Sequence, residues 1–106
     1  MAEHIDIPLA FKLGGKRYKV VEVDTLKTAR GRSLMGKFEV EKKLVTVAMH
    51  NAATGRKYDK GEIGNSFLHE LTHAILFDMG HKLATDEGFV TNFADRLQEV
   101  LETFKY

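Results

Sequence analysis

From Asp59 to Gly80 the sequence leaves room for little except one long helix. Apolar side chains at Ile63, Phe67, Leu68, Leu71, Ala74, Ile75 and Met79 recur mostly at intervals of three and four, the spacing that lays one buried stripe along a helix. Asp59 can cap the start, with Glu62 three residues on as the second half of a capping box. Gly80 can supply the left-handed residue that ends many helices. The pattern predicts a helix over about residues 60–79, whose stripe the rest of the chain must cover.

Within that helix His69, Glu70 and His73 spell His-Glu-x-x-His. Residues four apart lie on one helical face as near neighbours, so two imidazoles placed this way can each give one nitrogen to a divalent metal ion. Glu70 lies one step round from His69, where its carboxylate reaches a water beside the metal rather than the metal itself. Two neutral ligands, an open position and an adjacent base are what metal-assisted hydrolysis requires. The plain alternative is a pair of core histidines bonded to backbone carbonyls, with Glu70 a solvated acid. The apolar residues between the motif's members, and its place at the centre of a helix, favour the metal reading.

At 106 residues, 43% apolar and 29% charged, the chain reads as a single soluble domain over residues 1–106, large enough for one core. It has no cysteine, so thiolate sites and disulfides are excluded and a metal has only His, Asp or Glu to bind. No apolar run approaches membrane-spanning length. The first residues, Met-Ala-Glu-His-Ile-Asp, lack the order of a secretory signal, and the expected location is the cytoplasm. Residues 1–60 carry 13 basic against 7 acidic side chains, and residues 61–106 carry 3 against 8. A basic front half can meet nucleic acid or an acidic partner. Lysines that keep strand edges soluble explain it better, given no interleaved aromatics and no recognition helix.

In chain order, residues 1–15 form a weakly patterned lead-in with a Gly14-Gly15 turn signal. Residues 16–24 read as a strand whose alternation slips at Val20-Val21, implying a bulge or two covered faces. Residues 25–33 read as a short helical turn or a polar connection. Residues 34–40 alternate as a half-buried strand, and a tight turn at 41–43 leads to its hairpin partner over 44–49. A loop over 50–58 delivers the chain to the motif helix. A second helix over about 86–104 carries an apolar stripe of Val90, Phe93, Ala94, Leu97, Val100, Leu101 and Phe104. The expected fold class is α+β: a small antiparallel sheet of about three strands followed by two packed helices.

A catalytic zinc ion normally takes three protein ligands plus water. Asp78, His81, Asp86 and Glu87 are the candidates for the third. Asp78 is too close along the same helix to swing back, and His81 would need a tight reversal. Glu87 falls in the first turn of the next helix, where the helix dipole favours a carboxylate. Asp86 can cap that helix or hydrogen-bond a ligand imidazole. Glu87 is the favoured ligand; the competing reading is that both acids only cap.

The run His69-Glu70-Leu71-Thr72-His73 with Ala74-Ile75-Leu76 behind it, then Asp86-Glu87-Gly88-Phe89-Val90, resembles the gluzincin metallopeptidases. It is similar in particular to their minimal phage and prophage versions of the ImmA/IrrE type. The resemblance spans roughly residues 34–104; it is specific in the motif helix and loose elsewhere. It implies a minimal zincin-like metallopeptidase domain that cleaves peptide bonds, with zinc held by His69, His73 and Glu87 and with Glu70 as general base. It also implies a peptide substrate lying extended along an edge strand, for which residues 34–40 or 44–49 are the candidates. The residue that steadies the oxyanion in larger relatives has no assignable counterpart: His50, Tyr58 and His81 are possible by position, and each also reads as an ordinary surface or loop residue. The alternatives are a non-proteolytic small-molecule metallohydrolase and a zinc-stabilised binding or regulatory module.

Overall fold

Gly14 and Gly15 take left-handed φ values of 60° and 76°, as both central residues of a type I′ hairpin turn must. They fold β1 (Ala10–Leu13) antiparallel onto β2 (Lys16–Val23). The computed structural model describes residues 4–106. Residues 1–3, which enter the readings of the lead-in, the N-terminus and the single domain, lie outside the described residues. β1 falls within the expected lead-in: four residues are too few to display a period, and only the turn after them is legible.

β2 pairs in unbroken register with β6 (Leu44–Ala48), from Lys19 opposite Leu44 to Val23 opposite Ala48. The slip at Val20-Val21 is therefore no bulge at this pairing. Val20 points into the core, and Val21 on the other face is 41% exposed. This pairing is parallel, which requires a long crossover. Residues 24–43 provide it: a two-stranded ribbon of β3 (Leu26–Lys27) and β4 (Ser33–Leu34), then β5 (Gly36–Glu39). The ribbon replaces the helical turn or plain connection expected over 25–33. A turn with Lys43 at φ 49° brings β6 back antiparallel against β5, the expected hairpin. The sheet order is β1-β2-β6-β5. Strands followed by two helices make the α+β class, with four strands and one parallel pairing in the main sheet.

Helix α1 (Lys60–Asp78) starts at the expected capping box. The Asp59 carboxylate accepts from the Glu62 amide at 2.7 Å, and Glu62 accepts from the Asp59 amide at 3.1 Å. At its end the amides of Gly80 and His81 donate to the carbonyls of Phe77 and Leu76, both at 2.9 Å, with Gly80 at φ 64°. This is the Schellman arrangement, which satisfies the last carbonyls and turns the chain sharply. α2 (Glu87–Glu102) then runs back over α1. Asn65 of α1 donates to Asp95 and Gln98 of α2 at 2.9 and 2.8 Å, and Gln98 donates to the Gly61 carbonyl at 2.8 Å. The core between sheet and helices holds Val20, Val45, Val47, Ile63, Phe67, Leu68 and Ala94. Among the described residues, no helix is long and apolar enough to cross a membrane.

Candidate metal centre

The reversal after α1 determines where the third candidate ligand falls. His81 opens a one-turn 3-10 segment (Lys82–Thr85), its Nδ1 accepting from the Leu83 amide at 3.1 Å. Asp86 caps α2 by accepting from the Phe89 amide at 2.9 Å, the capping role already open to it. The residue after it, Glu87, therefore stands in the first turn of α2, directly over the motif. Its Oε1 lies 2.7 Å from His73 Nε2 and its Oε2 3.1 Å from His69 Nε2. One donor atom from each of His69, His73 and Glu87 falls within a common span of 4.8 Å. These three residues form a group that can hold a metal ion.

The donor chemistry fits a cation. His73 Nδ1 lies 2.7 Å from the Ala84 carbonyl oxygen, an acceptor only, so this nitrogen carries the proton. A neutral His73 then turns its Nε2 lone pair toward the Glu87 carboxylate at 2.7 Å. Two electron pairs at that separation need a positive charge between them, either a proton on the ring or a metal ion. Ligand atoms in a tetrahedral zinc site lie roughly 3.3 Å apart, given bonds of about 2.0–2.1 Å. The distances found are slightly shorter, as hydrogen bonds would make them. The Ala84 carbonyl also fixes the ring's orientation, a supporting contact of the kind common around metal sites. It left no mark in the sequence, since any residue there would offer the same carbonyl; Asp86, considered for this role, caps instead.

The histidine side chains are 20% and 14% exposed, while Glu87 is 68% exposed, so the group is open on the α2 side. Glu70 lines the same cleft and is mostly buried. Burial pushes its carboxyl up from 4.5 to about 7; the neighbouring Glu87 charge adds to the rise and His73 opposes it. Above Glu70 runs β5. A Cβ built on Gly36 would lie 2.5 Å from Ser66 Oγ and 3.1 Å from Glu70 Cγ, so only glycine lets the strand come this close to the helix. The Ser66 hydroxyl beneath it is buried and has no hydrogen-bond partner among the described residues.

The cleft between β5, α1 and the 3-10 segment measures about 710 Å³. Among the described residues, its open strand edge has two whose backbone groups are unpaired. The Met35 carbonyl accepts from the Ala48 amide at 2.8 Å, so alternation turns the backbone groups of Lys37 and Glu39 toward β6 as well. Those of Gly36 and Phe38 face outward. Of the two strands named as candidates for an extended peptide, β6 is paired on both sides and β5 alone has a free edge. None of the three oxyanion candidates lines the cleft. Tyr58 is in the core beneath the Arg56 guanidinium, His50 bridges to Lys57, and His81 is spent on the 3-10 turn. Asp78 lies against Gly14 at the far end of α1. No protein-family model matches the chain, and neither the curated proteins nor the solved structures contain a match to it.

Proposed function

We propose that the chain is a zinc-dependent metallopeptidase of the minimal gluzincin kind. One observation carries the reading: two imidazole nitrogens and a carboxylate converge from two helices, with a partly buried glutamate beside them under an open strand edge. A donor set of two imidazoles and one carboxylate, without thiolate, suits zinc. The exposure of Glu87 leaves solvent access, which a purely structural site would not need.

When bound, zinc supplies Lewis-acid chemistry, acidifying water and polarising a carbonyl. The chain's own residues do the rest. Gly36 and Phe38 offer backbone donors and acceptors along which an extended peptide can add as a further strand. That pairing holds the scissile carbonyl over the helix face bearing Glu70. The Glu70 carboxylate accepts a proton from the attacking water as the new C–O bond forms. It then delivers that proton to the amide nitrogen as the C–N bond breaks, releasing an acid and an amine. His73, held by the Ala84 carbonyl, keeps its Nε2 directed at the metal position throughout.

The test is Glu70→Gln in zinc-loaded protein. The expected result is unchanged zinc content with peptide hydrolysis reduced by about 10²–10⁴-fold or more. A variant that keeps its rate removes Glu70 as the base. A wild type that cleaves small amides but no peptide replaces this reading with the small-molecule hydrolase.

A further inference from the structure

The cleft has two unlike ends. Ser66, Glu70, His73 and Phe77 follow one another on the α1 face at steps of four, three and four, and all four line it. Asn65, next to Ser66 in the chain, lines one end, and Phe38, which meets Phe77, lines the other; Val40 also lines the cleft, two residues on from Phe38 and so on the same strand face. Phe77 is 50% exposed. A single exposed apolar residue needs no explanation by itself, but this ring is held from behind. It meets Phe38 edge-on at 6.3 Å, Phe38 lies 6.1 Å from Tyr18, and Tyr18 stacks on Phe11 at 5.2 Å. Phe11 in turn meets Phe67 edge-on at 6.3 Å in the core. Phe77 is thus the exposed end of a row of packed rings, a rigid apolar wall facing solvent beside the candidate catalytic residues.

We propose that Phe77, Phe38 and Val40 form a specificity subsite for a bulky aliphatic or aromatic side chain of the substrate, one or two residues from the scissile bond. This rests on the peptidase reading above and names the substrate class. The placement follows from helix and strand geometry. Phe77 lies about 6 Å beyond His73 along the helix axis, and helical side chains lean back toward the N-terminus. Two residues of extended peptide cover about 6.6 Å. A peptide paired to β5 therefore carries a side chain over Phe77 within that reach of the bond being cut. A charged side chain there would lose water against three apolar walls.

The experiment digests a peptide library with zinc-loaded wild type and with Phe77→Ala and Phe77→Lys, and maps the cleaved bonds by mass spectrometry. Wild type should enrich Phe, Leu, Met and Tyr at one fixed position within two residues of the bond. Its kcat/KM for a peptide with Phe there should exceed that for the Ala counterpart by about 10–200-fold. Phe77→Ala should bring that ratio close to one, and Phe77→Lys should shift the preference toward Asp and Glu. The ratio is taken within each enzyme, so a partly impaired fold scales both rates and leaves it readable. Cleavage without enrichment, or enrichment unaltered in both variants, overturns the subsite and leaves the peptidase standing. A wild type that cleaves no peptide overturns the peptidase reading and the subsite with it.

Discussion

Glu70 should make the metal-free protein less stable as pH rises, and Glu70→Gln should remove that dependence. Folding carries this carboxyl from 4.5 to about 7, chiefly through burial. An acid whose pKa is raised on folding binds its proton more tightly in the folded state, so stability declines across the interval from 4.5 to 7. Below 4.5 the group is protonated in both states and imposes almost no penalty. Above 7 the folded state must hold the charge in a partly desolvated site, at a cost of about 3 kcal/mol. Urea unfolding in the presence of a chelator, at pH 4 and pH 8, measures this for wild type and for Glu70→Gln. The difference between the two proteins isolates Glu70, because the other titrating groups are common to both. The variant should gain about 3 kcal/mol on wild type between the two pH values. A difference that stays constant with pH would mean that Glu70 ionises in the folded protein as easily as in water, and the burial argument would fail.

Two further substitutions probe how the site is framed. Gly36→Ala forces a methyl group against Ser66 Oγ and the Thr46 carbonyl; it should cost about 1–3 kcal/mol and lower peptide hydrolysis. Adding Ser66→Ala should recover at least about 0.5 kcal/mol of that loss, since the two sites are in contact; strictly additive effects in thermal melts would refute the close approach. Asp86→Ala should cost about 0.5–2 kcal/mol by uncapping α2 and weaken zinc binding several-fold, because Glu87 stands in the first turn. Asp86→Asn should keep both properties, and an undiminished affinity in Asp86→Ala would detach the cap from the site.

What could be read from the sequence was local. Asp59, Glu62 and Gly80 bracket α1 through hydrogen bonds to residues no more than four positions away, so its ends were legible. His69 and His73 share a face for the same reason, and Glu87 follows from the first-turn preference once α2 is recognised. What could not be read depends on distant partners. β1 exists because Gly14-Gly15 folds it onto β2, not because Ala-Phe-Lys-Leu has a period. The parallel pairing of β2 with β6 joins residues about 25 positions apart, and no short window records it. Val20-Val21 looked irregular because Val21 is an apolar residue on the exposed face, a position where composition misleads about direction. The Ala84 carbonyl, the buried Ser66 hydroxyl and the cleft wall of Phe77 all arise from tertiary contacts. Phe77 is the instructive case: it falls four residues after His73 on the motif's own face, and that spacing could have marked it.

Zinc content measured after equilibrium dialysis, on untagged wild type and on His69→Ala, His73→Ala, Glu87→Ala and Glu70→Gln, bears most directly on the whole account. One zinc ion per chain is predicted for wild type and Glu70→Gln, with the ion lost in both histidine variants and held much more weakly in Glu87→Ala. A wild type that binds no zinc, or histidine variants that retain it, would contradict a metal centre built from these three side chains.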